Sequence, residues 1–206
     1  MSTPTRLVLI RHGEVEARYQ RVFGGRTDME LSPLGQEQAR QLAAHLRPTH
    51  VDAAYVSPLR RAQQTMAALA ATNGYQPVVL DDLREVDFGA WTGLSWEEVR
   101  TRFGCSPFEW LEQLSQDAIP EAEPVEAFRD RVARAMERIT TAHPNQTVAV
   151  VCHGGVIRML LAELLRVPLP TMAHFEVDYA SISVVEFCPP RTELVLLNRT
   201  PWRRQP

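Results

Sequence analysis

The chain contains no lysine: all 22 of its Lys+Arg positions are arginine. That excludes a Schiff-base or pyridoxal enzyme, a P-loop phosphate cradle and a kinase-type phosphate contact, each of which needs a lysine amine. Any anion site must be assembled from arginine, histidine and backbone N–H groups. Cysteine is scarce too. Cys105, Cys152 and Cys188 are odd in number and widely spaced, matching neither a disulfide framework nor a zinc site. No stretch approaches the roughly 20 apolar residues that cross a bilayer, and the N-terminal residues carry no signal-peptide cleavage pattern, so a cytoplasmic, reduced protein is expected. The formal net charge of −3 offers no basic surface, and Arg203-Arg204 is too short to be more than a solvated tail. Neither nucleic acid nor a membrane is expected as a partner.

What the chain does have is a hydrophobic fraction of 45% over 206 residues, enough for a sizeable core. With no repeat, low-complexity tract or linker, residues 1–206 read as a single domain. Short apolar runs alternate with helical patterns, which predicts a three-layer α/β/α fold with a mostly parallel central sheet. Leu7–Ile10, Val51–Val56, Pro77–Leu80 and Thr147–Cys152 read as strands, and residues 181–187 and 193–197, joined through Pro189-Pro190, as a terminal pair. Helices are expected from Ser32 to Pro48, over 58–72, near 95–103 and 107–116, over 125–142 and over 154–166. Residues from about 85 to 125 form the expected small helical cap, and the terminal strand region, 181–197, offers an edge for a homodimer.

In open α/β sheets ligands bind beyond the carboxyl ends of the strands. Arg11-His12-Gly13-Glu14 follows the first strand, Ser57-Pro58-Leu59-Arg60-Arg61-Ala62 the second, and His153-Gly154-Gly155 the fourth. Two histidines and at least two arginines therefore converge on one rim. The glycines beside each histidine, Gly154 among them, leave N–H groups free for a ligand. Arginine forks suit phosphate, a neutral imidazole among them can act as nucleophile, and the guanidinium charge both stabilises a phosphoryl transition state and lowers the imidazole pKa. A carboxyl group must still protonate the leaving oxygen, and Glu85, at the mouth of the third strand, is placed for it. The arginines beside the histidines would repel a cation, so neither a metal nor another cofactor is expected.

These segments, in this order, resemble the histidine phosphatase superfamily, the branch that includes cofactor-dependent phosphoglycerate mutases and many small phosphatases. Arg11-His12-Gly13 is similar to its Arg-His-Gly signature, which implies that His12 is phosphorylated and Arg11 binds phosphate. Ser57-Pro58-Leu59-Arg60-Arg61-Ala62 is similar to its Ser-x-Leu-x-Arg-Ala segment, making Arg61 a phosphate ligand. Leu83-Arg84-Glu85 through Gly93 resembles the segment carrying the general acid, and Cys152-His153-Gly154-Gly155 the second His-Gly-Gly segment. The resemblance covers residues 6–165 and implies a metal-independent phosphomonoesterase acting on a small phosphorylated metabolite, of the sugar phosphate, α-ribazole phosphate or phosphoglycerate type. The compact cap and Gly25-Arg26-Thr27-Asp28 lean toward the α-ribazole phosphatase-like group.

Three positions depart from the family pattern. Arg18 stands where many members carry a phosphate-reaching Asn, and is expected to take that place as a phosphate ligand. Gly24 replaces a side-chain donor, and Glu121-Ala122-Glu123-Pro124 replaces a Gly-Gly-Glu-Ser stretch. A mutase is the first alternative, but residues 94–124 lack the basic insertion that such enzymes use to grip a substrate carboxylate. A non-catalytic phosphate-ester-binding relative is the second, against which the joint presence of His12, Glu85 and His153 argues.

Overall fold

In the computed structural model, residues 4–188 and 191–203 are described; Pro189-Pro190 and Arg204, both invoked above, lie outside them. The elements run β1 (Thr5–Arg11), α1 (Pro33–Leu46), β2 (Ala53–Val56), α2 (Arg60–Asn73), β3 (Pro77–Val79), α3 (Trp96–Phe103), α4 (Trp110–Ser115), α5 (Val125–Ala142), β4 (Thr147–Cys152), α6 (Gly154–Leu165), β5 (Ile182–Cys188) and β6 (Arg191–Arg199). The sheet has the order β3-β2-β4-β1-β5-β6. β3, β2, β4 and β1 are mutually parallel, while β5 runs antiparallel to β1 and pairs with β6.

Alternation along the strands makes the three layers. Val8 and Ile10 of β1, with Ala149 and Val151 of β4, pack against Leu42, Ala43, Met66 and Leu69 of α1 and α2. Leu7, Leu9, Val148 and Val150 face the other way, into a core with Phe128 and Val132 of α5 and Ile157 and Leu161 of α6. The cap has no core of its own: Val99, Leu111 and Leu114 of α3 and α4 belong to that second cluster.

Local signals set most helix ends. Ser32 Oγ accepts the Gly35 N–H at 3.0 Å, with Pro33 at the first helical position. Gly74 ends α2 at a φ of 75°, in the left-handed region. α2 starts two residues later than expected, because Leu59 is extended and serves as its N-cap. The expected helix over 107–116 is instead a 3-10 turn, Pro107–Glu109, running into the short α4. Arg203 is not simply solvated: it lies 3.3 Å from Asp178 and 5.1 Å from the Trp202 ring. No helix of the described residues is long and apolar enough to cross a membrane.

Candidate active site

β1 and β4 are neighbours in register, with Arg11 opposite Cys152, so the residues just past them, His12 and His153, emerge side by side with ring centroids 5.2 Å apart. The exit loop of β1 is held tightly. Gly13 N–H donates to Thr65 Oγ1 at 3.0 Å, and Glu14 N–H to Gln38 Oε1 at 2.8 Å. Gly13 is required by packing, since a Cβ there would lie 2.6 Å from the Gly35 carbonyl oxygen in the first turn of α1.

Two partners define the state of His12. Its Nδ1 lies 2.8 Å from the Gly13 carbonyl oxygen, which can only accept, so Nδ1 carries the hydrogen. Nε2 then bears the lone pair, and it accepts from Arg61 Nε at 3.2 Å. Burial, followed by the guanidinium charges of Arg61 and Arg11, holds the imidazole well below its ordinary 6.5, outweighing the Gly13 carbonyl. His12 is therefore neutral at pH 7, with Nε2 as its nucleophilic atom.

Arg61 comes from the first turn of α2 and is almost completely buried. Its terminal nitrogens donate to the carbonyls of Thr27 and Gly25 at 2.7 and 2.8 Å, so the loop after residue 24 aims the guanidinium. Burial pulls Arg61 down to about 10 even with Glu85 opposing, which leaves it cationic at pH 7. Arg11 donates to the Val177 carbonyl at 2.6 Å and stacks 4.0 Å over the Tyr179 ring.

His153 is fully buried and does not itself line the cleft. Its Nε2 lies 2.7 Å from Ser57 Oγ, which accepts the Leu59 N–H at 3.3 Å. Ser57 is fully buried and, among the described residues, its hydroxyl hydrogen has Nε2 as its acceptor, which assigns the ring hydrogen to Nδ1, an atom with no partner. Arg11 Nε and Arg158 Nε are likewise buried and unpaired. Arg11 and Arg158 both line the cleft, and unpaired buried donors there suit an oxyanion. Burial, then the charges of Arg61, His12 and Arg11, keep His153 neutral as well.

Glu85 reaches the same place from the segment after β3. Its carboxylate accepts from the Gly155 N–H at 3.1 Å, in the first turn of α6, and from the Val86 N–H at 3.0 Å. A Cβ at Gly155 would lie 2.4 Å from Glu85 Oε1 and would push the carboxylate from this position. The Glu85 segment is in turn held by Arg131 of α5, which was not singled out in the sequence. Arg131 donates to the carbonyls of Asp82, Arg84 and Glu85 and, at 2.7 and 2.9 Å, to both carboxylate oxygens of Glu123.

Arg11, His12, Arg61, Glu85 and Gly154 all line one cleft of about 470 Å³, as does Arg158, whose role the sequence did not show. Arg18 is the correction. Its side chain is 69% exposed, pairs with Glu16 at 3.2 Å and stacks over Tyr19, so it is spent at the surface and does not line the cleft. Of the cap tryptophans, Trp91 is buried in the core while Trp96 and Trp110 line the cleft. His143 is half-buried between Tyr55 and Gln146. Cys152 is fully buried, and burial pushes its thiol far up, so it is inert packing.

A family model described as the histidine phosphatase superfamily (branch 1) matches residues 7–200. The chain belongs to that superfamily, and it is a phosphatase of it. Among relatives, phosphoserine phosphatase 1 of Hydrogenobacter thermophilus is 32% identical over 195 residues, 95% of this chain and 92% of that protein. Adenosylcobalamin/alpha-ribazole phosphatase of Salmonella typhimurium is 31% identical over 200 residues, covering 96% and 98%. The crystal structure of Entamoeba histolytica phosphoserine phosphatase with 3-phosphoglyceric acid superposes with a TM-score of 0.80 at 28% identity, over 95% of this chain and 98% of that one.

Proposed function

We propose that the chain hydrolyses phosphomonoesters of small metabolites through a phosphohistidine at His12, with no metal ion taking part. The observation that carries this is the orientation of His12, whose Nδ1–H is committed to Gly13 and whose Nε2 lone pair sits between guanidinium groups on the cleft floor.

The ester's phosphoryl group enters against Arg11, Arg61 and His153, the unpaired Arg11 Nε and His153 Nδ1 taking up its oxygens. Arg61 Nε moves its donation from His12 to a phosphoryl oxygen, which frees the lone pair. Nε2 then attacks phosphorus in line, the P–O ester bond breaks, and the departing alkoxide takes a proton from the Glu85 carboxyl. In the second half, water gives a proton back to the Glu85 carboxylate and attacks phosphorus, the N–P bond breaks, and phosphate leaves. The arginines neutralise charge on the non-bridging oxygens throughout, the work that a cation does in metal-dependent phosphatases.

The test is hydrolysis of p-nitrophenyl phosphate in excess EDTA, with acid-labile, base-stable phosphate sought on the quenched protein. Turnover with EDTA present, and its loss together with bound phosphate in His12→Ala, is the expected result. Full activity in His12→Ala, or an absolute need for a divalent metal, would overturn the reading.

A further inference from the structure

The floor of the cleft accounts for a phosphoryl group, but most of the cleft lies outside it. Its volume of about 470 Å³ is in the range that holds a drug-sized ligand rather than a three-carbon acid. One wall of that outer part is aromatic and comes from the cap. Trp96 and Phe108 meet edge to face with centroids 5.2 Å apart, and Trp110 meets Phe88 in the same way at 5.4 Å. Phe175 lines the cleft as well. Three of these rings are open to solvent, with Phe108 71% exposed, Phe175 40% and Trp96 37%. Aromatic faces left open beside a polar floor are what a flat apolar group would cover.

The charges point the same way. Arg61 and Arg11 belong to the floor as described, and the terminal nitrogens of Arg158 are engaged, donating to the carbonyls of Gly154 and Phe175 at 3.2 Å each. The other charged lining residues besides Glu85 are Glu176 and Asp178. Asp178 is paired with Arg203 at 3.3 Å, while Glu176 is exposed. A carboxylate on the alcohol half of a substrate would therefore meet a carboxylate and aromatic rings and, among the described lining residues, no arginine free of a protein partner.

We infer that the outer cleft selects phosphate esters whose alcohol carries a flat, uncharged ring, stacked on the Trp96–Phe108 wall, and turns away esters whose alcohol carries a carboxylate. This rests on the floor being the phosphoryl site, as proposed above. It separates the chain from the relatives named for phosphoserine, whose substrate has a carboxylate on its alcohol half.

The experiment compares kcat/KM at pH 7 for primary-alcohol esters, so that leaving-group basicity is similar across the series. 2-(1-Naphthyl)ethyl phosphate is set against glycerol 1-phosphate, glucose 6-phosphate and phosphoserine. The naphthyl ester is expected to lead the two uncharged polyols by about tenfold, the size of one stacking contact, with phosphoserine last. Phe108→Ala and Trp96→Ala should each reduce kcat/KM for the naphthyl ester several-fold more than for glycerol 1-phosphate, through KM. Phosphoserine or glucose 6-phosphate equal to or better than the naphthyl ester, or an equal effect of both variants on all esters, overturns the inference. Turnover of the polyol esters that depends on His12 would leave the phosphatase reading standing in that case, whereas no His12-dependent turnover of any ester would remove both.

Discussion

Arg131 donates to both carboxylate oxygens of Glu123 at 2.7 and 2.9 Å, and its remaining hydrogens go to three carbonyls of the segment ending at Glu85. A guanidinium has five N–H donors, and here each has an acceptor. Burial alone would raise the Glu123 carboxyl, but Arg131, with Arg26 at 3.2 Å, holds it below the usual range. The pair fixes where Glu85 stands without touching the reacting atoms.

Arg131→Lys keeps the charge but cannot hold three carbonyls and a bidentate carboxylate together. It should therefore misplace the general acid rather than the nucleophile. Turnover of an alkyl phosphate, whose leaving oxygen must be protonated, is expected to fall about tenfold or more, within the usual worth of acid catalysis. p-Nitrophenyl phosphate, whose leaving group departs as an anion, should be much less affected. Glu85→Gln should show the same split more strongly in the phosphorylation step, and should accumulate phosphorylated enzyme from p-nitrophenyl phosphate because the shared hydrolysis step loses its base. Equal losses on both esters in the rate of enzyme phosphorylation, before the shared hydrolysis step, would mean that Arg131 acts only on stability.

Acid should destabilise the fold, starting near neutrality. His12 and His153 both have native pKa values well below 6.5, so the unfolded chain takes up protons there before the native one does. The unfolded state binds more protons below that pH, and stability is therefore complete above about 6.5 and lost as the pH falls through it. Each histidine contributes a slope of about 1.4 kcal/mol per pH unit. Thermal melts between pH 7.5 and 5.5 should show this, with a shallower slope in His12→Asn. An unchanged slope would remove His12 from the account.

Ser57 should control the tautomer of His153. In Ser57→Ala, Nε2 loses its donor and the ring hydrogen is no longer restricted to Nδ1. Affinity for inorganic phosphate is expected to fall about tenfold, the worth of one hydrogen bond to a charged group. Imidazole 15N shifts should change from a single tautomer in the parent to a mixture in the variant. A retained single tautomer would show that something else sets it.

Arg18→Ala should leave kcat/KM within about twofold, because an exposed ion pair of this kind contributes little. A loss of a hundredfold in steady-state assays would place Arg18 at the phosphate after all.

The strands and the positions of His12 and His153 were legible because parallel strands buried on both faces read as unbroken apolar runs, and the chemistry sits one residue beyond them. Arg61 was reached through its motif. Ser57 was quoted in the same motif, but its task depends on the pairing of β2 with β4, which brings together residues 96 apart. Arg131 left a signal that passed unused. It lies three residues after Phe128 and four before Ala135, on the apolar face of α5, where an arginine is either paired or misplaced. Position relative to a motif says nothing of a neighbour such as Glu16, with which the Arg18 side chain is paired in this structure. The cap's share in the cleft was not legible either, since Trp96, Phe108 and Trp110 carry no periodic pattern linking them to the floor.

The cap's lack of a separate core bears on how such a protein can change its selectivity. Val99, Leu111 and Leu114 are packed into the same cluster as Phe128 and Leu161, so replacing the cap wholesale would open the layer that supports α5 and, through Arg131, the general acid. Selectivity cannot be exchanged here as a cassette. It can drift by single substitutions at the side chains that face the cleft, Phe108 and Trp96 first, because they are the ones whose loss leaves the shared interior closed.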